Sequence, residues 1–155
     1  MSLARANEIV SQVRTVVPWL PQVPVEADPT NGGRAFYTYD GTSQKILIPG
    51  TYEPGDAILT YVVTHECGHA AQDFLGLSGW DAVEAEKAML AFHKADPALI
   101  NHSLRSEIWA ETWTRAQIPS YDGWAYPRLF PLITMRPDSL DFFKDPRRYA
   151  VQTVE

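Results

Sequence analysis

In this 155-residue chain, the run Thr64-His65-Glu66-Cys67-Gly68-His69 contains side chains that could do chemistry together. On a helix, His65 and His69 lie one turn apart on the same face, so both imidazoles can reach a single ion. Zinc is the ion this spacing suits. Glu66 stands about 100° round the helix from His65, too far to share its coordination position but close enough to reach a water at the metal. Zinc lowers the pKa of such a water. A neighbouring carboxylate can then take its proton as the water attacks a carbonyl, and pass that proton to the leaving amine. Cys67 falls about 200° from His65, away from the ion, which assigns it to the core. Gly68 has no side chain to hold neighbours apart and would let a second helix approach closely.

A catalytic zinc needs one more protein ligand and an open position. The metzincin extension requires Gly at 72 and His at 75, and the chain has Gln72 and Leu75, so that class is excluded. Glu107 is the favoured third ligand, because Glu111 follows four residues later on the same helical face. One carboxylate can bind the ion while the other accepts the outer N–H of a ligand histidine, fixing its tautomer and orientation. Glu84 and Glu86 compete for the role, but Ala88 and Leu90 stand where their partners would be; His93 and His102 remain as further alternatives. A tetrahedral intermediate also needs a donor for its oxyanion. His102, Arg105, Tyr121 and Tyr126 are available without a spacing that selects one, and His102 and Tyr121 are the leading candidates.

The sequence His65-Glu66-Cys67-Gly68-His69 followed by Glu107-Ile108-Trp109-Ala110-Glu111 resembles the gluzincin metallopeptidases. The E-x-x-A-E run is similar to that of the anthrax lethal factor-like and minimal-gluzincin groups. That resemblance implies Glu107 as the third zinc ligand, Glu111 as the partner of His65, and one zinc ion per chain. It covers two helices only, and Ser106 stands where the thermolysin-type pattern has Asn.

These residues need elements to position them. Leu3 to Val17 carries apolar residues at helical spacing and is ended by Pro18; Val23 to Ala27 suits a short edge strand among prolines. Ala35 to Tyr39 and Lys45 to Ile48 are β-prone runs around the turn Asp40-Gly41-Thr42-Ser43, which predicts a hairpin. The strongest helical pattern starts at Asp56, a candidate N-cap, and runs past Phe74 to Gly76 as a stop. Trp80 to Lys94 and Ser103 to Gln117 predict two more helices. Residues 119–155, with interleaved Pro and aromatic residues, read as a segment wrapping the core, with a short helix near Ser139 to Lys144. The expected fold is α+β and zincin-like, in one domain over 1–155: an N-terminal helix, a small mixed sheet with a hairpin edge strand that could pair with an extended substrate, the active-site helix, then C-terminal helices.

Composition narrows the function classes. A net charge of -6 and a pI near 5.1 argue against nucleic acid as a partner, because phosphate binding rests on Lys and Arg. A single cysteine excludes an intramolecular disulfide. No apolar run approaches a membrane span, and no secretory leader pattern is present, so the default expectation is a cytoplasmic protein, with signal-independent export or phage delivery as alternatives. The leading expectation is a zinc-dependent endopeptidase acting on a peptide or protein substrate. Two alternatives stand beside it: a zincin-shaped binding or structural module whose metal only stabilises the fold, and a hydrolase of cell-wall peptides.

Overall fold

The computed structural model describes residues 3–30, 34–39, 43–50, 52–77, 105–123, 126–128 and 144. Among these residues are three helices and a three-stranded mixed sheet, an α+β architecture. The predicted helix Trp80 to Lys94 lies outside the described residues, as does the short one near Ser139 to Lys144 except for Lys144 itself. Glu84, Glu86, His93 and His102 fall outside them too.

Helix α1 spans Leu3–Val16 and buries Ala6, Ile9, Val10 and Val13, the i, i+3, i+4, i+7 stripe of an amphipathic helix. The N–H of Val17 still bonds back to Val13 O at 2.9 Å, but Pro18 disfavours helical geometry at the residue before it, and the helix stops. Strands β1 (Val25–Asp28), β2 (Phe36–Tyr39) and β3 (Gln44–Pro49) follow, in the spatial order β1-β3-β2. β1 starts after Pro24, two residues later than the predicted strand. It runs parallel to β3 with Val25 opposite Ile46, whereas β2 runs antiparallel with Phe36 opposite Leu47.

The two edges of this sheet differ. Asn7 on α1 donates from Nδ2 to Val25 O at 3.1 Å and accepts from Val25 N–H at 2.9 Å, so its amide satisfies β1 as a further strand would. β2 is the edge that faces the cleft described below.

Helix α2 spans Asp56–Leu77, passing through Gly76 where the sequence marks a stop. Its first backbone bond comes from Leu59 N–H to Gly55 O at 3.0 Å, which makes Gly55 the capping position and Asp56 the first helical residue. The Asp56 carboxylate, expected to cap, instead receives Arg5 Nε at 2.8 Å and ties α1 to the start of α2. Every residue from 63 to 68 is buried, so the centre of α2 is enclosed on all sides rather than presenting one apolar stripe. Helix α3 spans Arg105–Gln117 and is equally enclosed from 108 to 114. Thr112 and Thr114 are tolerated there because their hydroxyls donate to the carbonyls one turn back, Ile108 O at 2.9 Å and Ala110 O at 2.7 Å.

The contact that matters for the site is α2 against α3. A Cβ placed on Gly68 would lie 3.2 Å from Ala110 Cα and 3.1 Å from Trp113 Cδ1, so the two backbones meet where glycine leaves room. Trp109 closes the approach by donating its indole N–H to Gly68 O at 2.9 Å. Cys67 is fully buried in the same core, as its position on the helical wheel implies, and burial pushes its thiol up to about 12. Trp19 stacks on Phe74 with ring centroids 5.5 Å apart and donates to Lys144 O at 2.8 Å, which anchors part of the C-terminal segment to this core. No helix among the described residues is long and apolar enough to cross a membrane.

Candidate metal centre

His65 and His69 sit one turn apart on α2, and the close approach at Gly68 carries the carboxylates of α3 to them. Nε2 of His65 lies 3.0 Å from Glu107 Oε2, and Nε2 of His69 lies 3.2 Å from Glu107 Oε1. The ligand atoms of His65, His69 and Glu107 all fall within 4.8 Å of one another, a group that could hold a metal ion.

The opposite side of each ring decides its tautomer. His65 Nδ1 is 2.9 Å from Glu111 Oε1, and Glu111 is fully buried. Tyr121 donates its hydroxyl to the same carboxylate, 2.8 Å from Oε1 and 2.7 Å from Oε2. With Glu111 as acceptor, this contact places a hydrogen on Nδ1 of His65. His69 Nδ1 is 2.8 Å from Gln72 Oε1, again an acceptor. Neutral rings held this way turn both Nε2 lone pairs toward the Glu107 carboxylate. Three electron-rich groups converging at this distance require positive charge among them, either protons on the rings or a cation.

The electrostatics show how strong that demand is. Burial alone would lower the His65 pKa, but hydrogen bonds to Glu107 and Glu111 overturn it and push the ring up to about 9. His69 is raised against its burial by Glu107. Burial would raise the Glu107 carboxyl, yet the two histidines hold it far below the usual carboxylate range. The donor set, two imidazoles and one carboxylate with both outer nitrogens committed to acceptors, could hold a metal ion.

Glu66 stands beside this group and lines the same cleft. It is buried, and its Oε2 accepts the backbone N–H of Tyr37 on β2 at 2.8 Å. Burial raises its pKa, opposed mainly by the charges of His65 and His69. The strand edge thus holds the carboxylate that neighbours the ligand group. A cleft of about 830 Å³ opens over these residues, with Phe36, Tyr37, Tyr52 and Tyr61 among its aromatic walls and Arg34 as the one arginine or lysine lining it among the described residues.

Of the candidate oxyanion donors, Tyr121 is buried with its hydroxyl turned to Glu111, and His102 lies outside the described residues. Tyr126 occupies the position over the site. The chain turns at Gly123, whose φ of 81° suits glycine, and Tyr126 N–H returns to Gly123 O at 3.0 Å. Its ring stacks on His65 with centroids 6.1 Å apart, and burial together with a hydrogen bond to Glu107 pushes its hydroxyl up to about 12.

Three contributors escaped the sequence. Gln72 was legible as His69's neighbour at i+3, which a helical-face count would have found. Tyr126 is one of four candidate donors in the sequence, and what singles it out is the Gly123 turn. The Tyr37 N–H is a backbone donor and leaves no mark in residue type.

No family model matches this chain, and neither the curated proteins nor the solved structures give a match.

Proposed function

We propose that the chain is a zinc-dependent peptidase whose ligands are His65, His69 and Glu107 and whose general base is Glu66. The observation that carries this reading is the convergence of both Nε2 atoms on Glu107 while Glu66, which lines the same cleft, stays outside that group and is held at the sheet edge. A site built only to bind a structural ion has no use for a buried carboxylate that is neither a ligand nor the partner of a ligand histidine. Zinc bound there would act as a Lewis acid and lower the pKa of water.

The chain's own residues supply the rest. With Oε2 held by the Tyr37 N–H, Glu66 offers Oε1 to the attacking water, takes its proton and delivers it to the leaving amine. Tyr126, stacked on His65 and bonded to Glu107, is the hydroxyl best placed to donate to the carbonyl oxygen as charge develops on it. Glu111 and Tyr121 hold His65 in its ligand tautomer. β2, with β1 closed by Asn7, is the edge along which an extended peptide would lie. The order of mixed sheet, H-E-x-x-H helix and E-x-x-A-E helix is similar to a zincin arrangement of the gluzincin type.

Elemental analysis of protein purified without chelator should find about one zinc per chain, as a three-ligand site implies. Glu66→Gln should keep that zinc and lose hydrolysis of an unstructured protein substrate. Failure of the wild-type protein to bind zinc, or loss of metal in Glu66→Gln, would overturn the assignment. Full zinc with no hydrolysis of protein or cell-wall peptides by the wild type would favour the structural module instead.

A further inference from the structure

The two ligand histidines are held unequally. His65 leans on a buried carboxylate, Glu111, which is itself fixed by Tyr121. Among the described residues His69 has no carboxylate behind it. Its Nδ1 meets the amide oxygen of Gln72, three residues on along α2, at 2.8 Å. Gln72 is buried, and its Oε1 also accepts the Ser106 hydroxyl of α3 at 3.0 Å. Ser106 itself is 3.4 Å from His69 Nδ1, a longer and weaker contact than that of Gln72.

We propose that Gln72, braced across the helix pair by Ser106, is the positioning residue that holds His69 in the tautomer and ring orientation a metal needs. An amide carbonyl at this point requires hydrogen on Nδ1, which in the neutral ring leaves Nε2 bare toward Glu107. Without that acceptor the hydrogen is free to move to Nε2, where Glu107 Oε1 at 3.2 Å would accept it, and the ring is lost as a ligand. Ser106 directly precedes Glu107 in sequence, so one short stretch of α3 supplies both a ligand carboxylate and the brace for the ligand opposite. A neutral amide raises ring basicity less than the carboxylate behind His65 does, which makes His69 the weaker of the two imidazole ligands. The inference rests on the reading of the site as a zinc centre, not on peptidase activity.

The test is zinc affinity, by competition with a chromophoric chelator, for the full chain and its variants. Gln72→Met keeps the length of the side chain and removes the acceptor. It should weaken zinc about 10- to 100-fold, the range for partners of metal-ligating histidines. Gln72→Glu restores an acceptor and should return affinity to the wild-type level or above. Ser106→Ala should act in the same direction as Gln72→Met by a smaller factor. In the zinc-loaded wild type, imidazole nitrogen NMR should show His69 protonated at Nδ1, with that proton exchanging faster in Gln72→Met; a merely structural role for Gln72 would not move this signal. Wild-type affinity in Gln72→Met, or loss of affinity that Gln72→Glu does not rescue, would overturn the role of Gln72 while the centre stands. A wild-type chain that binds no zinc would overturn both.

Discussion

Replacing Gly68 with alanine puts opposing effects in one experiment. A methyl at this position gains the helix-propensity difference between glycine and alanine, about 1 kcal/mol. The same methyl would lie 3.2 Å from Ala110 Cα and 3.1 Å and 3.2 Å from Trp113 Cδ1 and Cγ. Carbon atoms are at rest at about 3.5–4.0 Å, so each contact is short by roughly 0.3 Å or more. Neither neighbour can give easily, since Ala110 presents backbone and Trp113 is fully buried. Overpacking of this kind costs about 1–3 kcal/mol. The balance is a net loss of roughly 0–2 kcal/mol once the propensity gain of about 1 kcal/mol is subtracted. The relief available to the fold is a retreat of α3, and Glu107 rides on that helix three residues before Ala110. Zinc sites tolerate ligand distances within about 0.2 Å, so zinc affinity should fall together with stability. Urea unfolding of metal-free protein and chelator competition measure the two quantities. A variant about 1 kcal/mol more stable than wild type, as propensity alone predicts, with unchanged zinc affinity, would refute the claim that close approach at Gly68 places the third ligand.

Other perturbations isolate single parts of the structure. Tyr126→Phe should retain zinc and lower kcat on the order of 10²-fold or more, the usual cost of removing one oxyanion donor; an unchanged kcat would remove Tyr126 from the reaction. Asn7→Leu leaves the outward N–H and C=O of Val25 without their amide partner and should cost about 1–3 kcal/mol in urea unfolding, with zinc affinity preserved. Cys67 should resist alkylation at pH 8 until the protein unfolds, because burial keeps its proton in place. The folded chain holds that proton more tightly than the unfolded chain. Relative to Cys67→Ala, wild-type stability should therefore be level below the ordinary thiol value of 9.0 and fall as pH rises from there toward about 12.

The local periodicities of this chain were legible because each comes from neighbours in sequence. The α1 stripe, the hairpin strands β2 and β3, and the long helix carrying His65 and His69 all follow from spacing and turn residues. Element ends were less legible. Gly76 reads as a stop, yet α2 continues through it, and Asp56 reads as a cap although an arginine 51 residues away holds its carboxylate. For Asp56 the outcome depends on a tertiary partner, Arg5 of α1, which no local preference encodes.

The site divides in the same way. Sequence by itself determined that two imidazoles and Glu66 share one helix, that Cys67 faces away from them, and that a later helix carries two carboxylates a turn apart, since helical geometry is fixed by hydrogen bonds within a few residues. Only the tertiary structure decided that Glu107 meets both Nε2 atoms while Glu111 stands behind His65, because that depends on how closely α3 packs at Gly68. It also decided that a strand N–H holds Glu66, that a turn at Gly123 brings Tyr126 over His65, and that Gln72 rather than a carboxylate backs His69. Such contacts join residues far apart in the chain or use backbone atoms common to every residue type, and no spacing rule encodes them.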